Sequence, residues 1–321
     1  MAGVSEKPFR TLVRRMGASA APTELVSAKG LIYGQARTAR YLDHHPDEDP
    51  FWVQLFGAEP EVMAIGAEKA VELGAKIIDI NMGCPVKKVT RTQAGSALLT
   101  DPRRAAQIVE AIAVKTGVPV TVKIRTGWDE NSINTLEMVR ALADAGAVLV
   151  AIHGRTRAQA YSGLADWSLI AEVARQSPIP IVGNGDIVTP TDARRCLHES
   201  GCAAVMIGRG ALGNPWIFSA LANDNDDLTS PDSEIRWALI RQHWIDHLEF
   251  VGDDIQALRR FRQHFIWYSH GLQCAAEFRR TITLIDQVNE ALGVSEKYFC
   301  SASLAKGLYE APECDLRSAL G

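Results

Sequence analysis

The sequence predicts an α/β protein of the TIM (β/α)8-barrel class, followed by a small all-helical unit. Between residues 20 and 215, short β-branched runs alternate with longer segments of helical periodicity, the pattern of βα units around a parallel sheet. The 321 residues exceed the about 250 of a typical barrel and leave room for an appendage. From about residue 233 onward the strand-like runs stop and only helical spacing remains.

Seven strands are expected: Ala20 to Val26, Phe51 to Phe56, Lys76 to Met82, Val118 to Ile124, Val148 to His153, Ile179 to Asn184 and Ala203 to Gly208. Each is followed by Gly, Pro, Asn or charged residues. Helices fill the gaps over Glu59 to Leu73, Ile108 to Lys115, Leu136 to Ala145, Trp167 to Arg175 and Thr189 to Glu199, with apolar residues at helical spacing. Gly74, Gly117, Gly146 and Gly201 follow four of them and suit helix C-caps. A closed barrel needs eight strands. Met1 opens in what reads as a βα loop, Ala2 to Lys7, before a helix around Pro8 to Arg15. The simpler expectation is that the first strand lies upstream and that the true start precedes Met1 by several codons.

A polar, acidic stretch at 223–232 reads as a linker between a barrel at 1–222 and a helical domain at 233–321. Within that domain, Glu234 to Val251, Ile255 to Gly271, Ala275 to Leu292 and Ser301 to Leu308 carry helical spacing and predict a small bundle. Trp267 and Tyr268 are read as its core residues.

With 47% hydrophobic and 22% charged residues, the composition is that of a globular protein and excludes a disordered or fibrous one. No window approaches the roughly 18 apolar residues of a membrane span, and Met1 to Arg10 lacks an apolar signal core. The six cysteines are scattered without a CxxC pair, which argues for reduced thiols in the cytoplasm and against a disulfide framework or zinc site. No metal and no membrane contact are expected, and a monomer is. The net charge of −4 gives no global basic footprint, so nucleic-acid contact would require local Lys/Arg clusters.

In a parallel barrel the active site lies at the carboxyl ends of the strands. Those ends carry Gln54, Asn81 with Cys84, Lys123 with Arg125, His153 with Arg155, Asn184-Gly185-Asp186 and Gly208-Arg209. The last two groups follow the last two strands, where barrels bind phosphate through backbone N–H groups, and a phosphorylated cofactor or substrate is implied. Lys123, His153 and Gln54 could hold a planar heterocycle and stabilise negative charge on it. Lys123 could equally form a Schiff base or pair with Asp79. Cys84, between Gly83 and Pro85, is either a small buried hydrophobe or a thiol presented to the cavity, and Lys87, Lys88 and Arg91 close by favour the second through its pKa.

Taken in order, these residues resemble a family. Met1-Ala2-Gly3-Val4 with Pro8-Phe9-Arg10, Val53-Gln54-Leu55, Asp79-Ile80-Asn81-Met82-Gly83-Cys84-Pro85, Val122-Lys123-Ile124-Arg125-Thr126-Gly127-Trp128, Ile152-His153-Gly154-Arg155-Thr156-Arg157, Asn184-Gly185-Asp186 and Met206-Ile207-Gly208-Arg209 are similar to the tRNA-dihydrouridine synthases. The match spans nearly the whole chain and is nearest to the bacterial B-type branch, including Phe265, Trp267, Tyr268 and Phe278-Arg279-Arg280-Thr281 in the tail. The short strand that precedes Met1-Ala2-Gly3 in the family is absent.

The resemblance implies FMN-dependent, NADPH-consuming reduction of the uracil C5–C6 bond in tRNA, in the D-loop region, by a barrel with a helical tRNA-binding domain. It implies that Met1, Ala2, Gln54, Lys123, His153, Asn184, Gly185, Asp186, Gly208 and Arg209 hold FMN. Cys84 would act as general acid, protonating C5 of a flipped-out uracil that receives a hydride at C6. Asn81 would bind the uracil edge, and Lys87, Arg91, Arg125, Arg155, Arg157, Arg279 and Arg280 would serve the RNA. An FMN barrel oxidoreductase acting on a free pyrimidine or other small molecule is the alternative.

Overall fold

The computed structural model describes residues 1, 3–224 and 231–302. Seven parallel strands form one sheet in sequence order: β1 (Val26–Ser27), β2 (Trp52–Phe56), β3 (Ile77–Met82), β4 (Val120–Arg125), β5 (Ala147–His153), β6 (Ile181–Asn184) and β7 (Ala204–Met206). All seven expected strands are present, six of them close to the expected bounds. The first is shorter. Pro22 has no N–H to give a ladder and Glu24 lies at a bend, and this segment meets β2 through Thr23, whose N–H donates to the Trp52 carbonyl and whose Oγ1 accepts the Gln54 N–H, each at 3.0 Å.

Helices Pro60–Glu72, Pro102–Thr116, Thr135–Asp144, Trp167–Gln176 and Pro190–Ser200 follow β2 to β6 in turn. Their apolar faces pack on Val53, Leu55, Ile78, Ile80, Val122, Ile124, Val150, Ile152 and Ile181 in one core. The expected capping glycines all have positive φ. The architecture is a barrel-type α/β fold, with no pairing of β7 to β1 among the described residues. Residues 17–25 and 203–207 face the gap, and β7 is the least buried strand.

The helical region comprises Ser233–Val251, Asp254–Tyr268, Ala275–Leu284 and Val288–Ser301. The sequence pattern over 275–292 predicts one helix where there are two. The Arg262 guanidinium donates to the Ile285 carbonyl and to Asp286 Oδ1, holding 285–287 extended while Ile285 turns into the core. The expected helix Ser301 to Leu308 lies, beyond residue 302, outside the described residues, as do Cys314 and residues 225–230 of the expected linker.

Trp237, Trp244, Phe261, Phe265, Phe278 and Phe299 form the core of this region, and Tyr268 is buried with them as the sequence predicts. A third cluster, with Val4, Phe9, Val13, Leu212 and Trp267, joins the helix Lys7–Arg15 and the segment after β7 to the helical region. Here Gly213, at φ +69°, lets the backbones touch: a Cβ at that position would stand 2.1 Å from the Trp267 carbonyl oxygen. The buried His243, His247 and His264 pack at the same junction as aromatic rings, and burial lowers the pKa of all three.

Phe261 is fully buried between Trp244 and Phe265, with ring centroids at 5.4 and 4.8 Å. Phe261→Ala is expected to cost about 3–5 kcal/mol in denaturant unfolding, since the cavity left by a large core side chain closes only in part.

Candidate active site

At the carboxyl ends of the strands lies a cavity of about 930 Å3, within the roughly 300–1,000 Å3 range of small-molecule and cofactor sites. Gln54, Asn81, Cys84, Lys123, Arg125, His153, Asn184, Gly185, Asp186, Gly208, Arg209 and Met1 all line it. Ala2 lies outside the described residues. The cavity continues along the gap beside β7, where Val13, Ala18, Leu25, Leu197, Val205 and Phe218 give it an apolar wall.

Register aligns the polar floor. Gln54 on β2 is paired with Asp79 on β3, and Asp79 with Thr121 on β4. Gln54 Nε2 donates to Asp79 Oδ2 at 2.7 Å, Thr121 to Asp79 Oδ1 at 2.6 Å and Asn81 Nδ2 to Gln54 Oε1 at 2.9 Å. Asn81 Oδ1 in turn accepts the Gly83 and Cys84 N–H groups at 3.2 and 2.9 Å, which fixes the turn carrying Cys84. Gly95, at φ +61°, lets the following loop pack on that turn, because a Cβ there would sit 2.9 Å from the Cys84 carbonyl oxygen.

Burial pushes the Cys84 thiol up from its ordinary value, against smaller lowering effects from the Val86 N–H and the Arg125 guanidinium. The sequence reading gave the cationic influence to Lys87, Lys88 and Arg91. Lys87, Lys88 and Arg91 are instead exposed on the short helix Lys87–Thr90 and its end, and the side-chain cation that acts on the thiol is Arg125.

Lys123 Nζ donates to the Ile124 carbonyl at 3.3 Å, while both Asp79 oxygens are engaged by Gln54 and Thr121. Burial, then Arg125, lowers the lysine to about 7. His153 is held far below its usual range by burial and by Lys123, Arg125, Arg155 and Arg209. Its Nε2 faces the Arg155 guanidinium at 3.3 Å and must accept, which leaves the ring proton on Nδ1.

Two arginines expected at the RNA are buried loop clamps. Arg155 donates to the Ser162 and Gly163 carbonyls and pairs with Asp186 at 2.7 Å. Arg125 binds the carbonyls of Gly83, Thr156 and Ala160. Arg157 covers the Trp128 ring at 4.2 Å, and Arg279 donates to Ser269 Oγ. Lys87, Arg91 and Arg280 are exposed. Tyr161, which lines the mouth with Arg209 over its ring at 4.6 Å, is not marked by the sequence pattern, nor are Thr121 and Trp52. The signal for Thr121 and Trp52 was polar or amphipathic character at strand positions that otherwise read as core, whereas Tyr161 lies in a loop turn that carries no periodicity.

Gly185, at φ +119°, leaves no room for a Cβ between Ala165 and His153, whereas the nearest atom to a Cβ at Gly208 would be Met1 Sδ at 4.0 Å. Backbone can therefore come close to a ligand at Gly208. Lys123 and Arg209 line the same cavity, and Asp186 faces both Arg155 and Arg209, so the site favours an anionic ligand.

The sequence profile of the dihydrouridine synthase (Dus) family matches residues 1–303. The chain belongs to this family. It is 40% identical over 305 residues to the tRNA-dihydrouridine synthase B of Xanthomonas axonopodis pv. citri, covering 93% of this chain and 91% of the relative. It is 39% identical over 303 residues to that of Vibrio cholerae, covering 93% and 94%. Among solved structures it resembles histamine dehydrogenase from Rhizobium sp. 4-9, with a TM-score of 0.56 at 11% identity over 94% of this chain and 60% of that one. An old yellow enzyme homologue from Zymomonas mobilis matches with a TM-score of 0.50 at 13% identity, covering 74% and 90%. These two likenesses concern the fold alone.

Lys123 generates a pH test. Its folded value of about 7 lies below the 10.5 of a free lysine, so between these limits the unfolded chain binds the extra proton and stability rises with pH. The unliganded protein is expected to gain up to roughly 1.4 kcal/mol per pH unit across that window. Lys123→Met should lack this rise when urea unfolding is compared at successive pH values.

Proposed function

We propose that the protein is a tRNA-dihydrouridine synthase that reduces the C5–C6 bond of uridine in tRNA, in the D-loop region, with FMN as cofactor and NADPH as reductant. The observation that carries the reading is a thiol, Cys84, held on a fixed turn at a cationic cavity large enough for a cofactor. The names of the relatives support tRNA as substrate, and a cytoplasmic location goes with this reading.

The residues fit FMN. Gly208 offers backbone and space, Arg209 and the Asn184-Gly185-Asp186 turn provide a polar, cationic cradle, and Gln54, Lys123 and His153 would contact the ring, with Met1 beside it. The chemistry that reduced FMN supplies when bound is hydride transfer to uracil C6. Cys84 holds the proton that C5 must receive, because its raised pKa keeps the thiol neutral at physiological pH. Asn81, oriented by Gln54, lines the cavity next to it and meets the uracil edge. Neutral His153 offers one N–H without adding charge. Lys123, near half-protonated at neutral pH, takes up a proton when an anionic ring settles beside it.

On this reading the RNA contacts divide in two. Arg125 and Arg155 build the loops around the mouth, with Arg157 and Arg279 bound partly within the protein, while exposed Lys87, Arg91 and Arg280 meet phosphates.

Cys84→Ala is expected to keep its flavin and its reduction by NADPH, yet to lose at least about 100-fold in dihydrouridine formation, as for removal of a general acid. Mass spectrometry of nucleosides from unmodified tRNA reads the loss, and undiminished product would refute the assignment. Lys87→Ala with Arg91→Ala should weaken tRNA binding and lower the slope of log affinity against log salt by roughly 1.4–1.8, at 0.7–0.9 for each phosphate. An unchanged slope would remove these residues from the interface.

A further inference from the structure

We propose that Asp79 is a positioning residue for Cys84: the one acceptor-only group on which a buried hydrogen-bond chain converges, and through which the turn bearing the thiol is held. The proposal rests on reading Cys84 as the proton donor.

The direction of the chain follows from its two ends. At one end the Trp52 indole can only donate, and its Nε1–H reaches Thr121 Oγ1 at 3.1 Å. Opposite an ionised Asp79 the Thr121 hydroxyl proton points onward, to Asp79 Oδ1 at 2.6 Å. At the other end the Gly83 and Cys84 backbone N–H groups can only donate, and both reach Asn81 Oδ1. Asn81 therefore turns its NH2 toward Gln54 Oε1, and Gln54 turns its own NH2 toward Asp79 Oδ2.

A chain with donors at both ends requires one member that only accepts. An ionised carboxylate is such a group, and Asp79 receives a donor on each oxygen; burial raises its pKa, and the Thr121 and Gln54 hydrogen bonds and Lys123 act against that rise. Burial makes the requirement strict: Asp79 is 2% exposed, Thr121 3%, Asn81 7% and Gln54 9%, so bulk water has little access to repair a mismatch. Turning either amide over would set N–H against N–H. An asparagine at 79 introduces a donor at the point of convergence. If its NH2 faces Gln54, both amides turn and Asn81 presents NH2 to the Gly83 and Cys84 N–H groups, which must then move.

The test uses the full-length holoenzyme and two independent readouts. The first is the pH profile of Cys84 alkylation by iodoacetamide, resolved from the other cysteines by peptide mass spectrometry. The second is turnover on tRNA, divided into kcat and KM. Asp79→Asn is expected to shift the alkylation profile and to lower kcat by about 100-fold, the scale of a misplacement near 1 Å, while KM for tRNA and flavin reduction by NADPH change little. The double variant Asp79→Asn with Gln54→Glu moves the sole acceptor one place along the chain, so both arms converge on residue 54, and it is expected to restore the wild-type alkylation profile. Gln54→Glu alone sets two carboxylates face to face and should disturb the profile.

An unchanged profile in Asp79→Asn, or a disturbed one that the double variant leaves disturbed, would overturn the proposal. If Asp79→Asn does not fold, Thr121→Val removes one arm and carries the same comparison, a disturbed profile supporting the proposal and an unchanged one overturning it. If the wild type fails to reduce tRNA, the proposed function falls while the alkylation series still decides the role of Asp79.

Discussion

A carboxylate buried beneath a barrel mouth is costly unless both of its oxygens are satisfied; the Gln54 and Thr121 bonds to Asp79 offset part of that cost, with burial still holding its pKa above the ordinary value. Because these partners come from β2 and β4, the adjoining strands on either side, the same bonds link the middle of the sheet and orient the Gln54 and Asn81 amides. The Asn81 amide then fixes the Gly83-Cys84 turn. Amide orientation and thiol position thus follow from one buried interaction, which the register of three strands brings together.

The rim follows a different electrostatic logic. Arg125 and Arg155 spend their guanidinium donors on loop carbonyls, so these buried cations are satisfied within the protein while their charge still reaches the cavity. That charge, together with burial, keeps His153 neutral and discharges Lys123 in part. The thiol responds in the opposite sense, since burial outweighs Arg125 there and preserves its proton. One environment therefore holds a neutral imidazole, a lysine that titrates near neutrality and a protonated thiol.

The barrel could be read from the alternation of β-branched runs with helical segments, because that period survives whatever surrounds it. Two departures arise from contacts that periodicity does not encode. Pro22 and the Thr23 hydroxyl, which takes the Gln54 N–H in place of a backbone carbonyl, leave 20–25 outside the ladder, and Arg262 breaks one expected helix at Ile285 from a different helix. In the site, Gly83 and Pro85 announce a turn at Cys84, and strand ends reveal Lys123 and His153. Asp79 reads in sequence as one possible partner for Lys123, since a pattern cannot tell which neighbouring strand supplies the closer donors. Arg155 reads as an RNA contact for the same reason: its burial against the 162–163 carbonyls and Asp186 depends on how a loop folds back.

The account stands or falls on whether electrons held in this cavity pass to uridine in tRNA. The most direct measurement is anaerobic: the flavin-loaded protein is reduced with NADPH, unmodified tRNA is added, and flavin absorbance is followed alongside dihydrouridine. The account predicts reoxidation by tRNA in step with product, one dihydrouridine for each flavin reoxidised. A flavin that stays reduced with tRNA but is reoxidised by a free pyrimidine would contradict it.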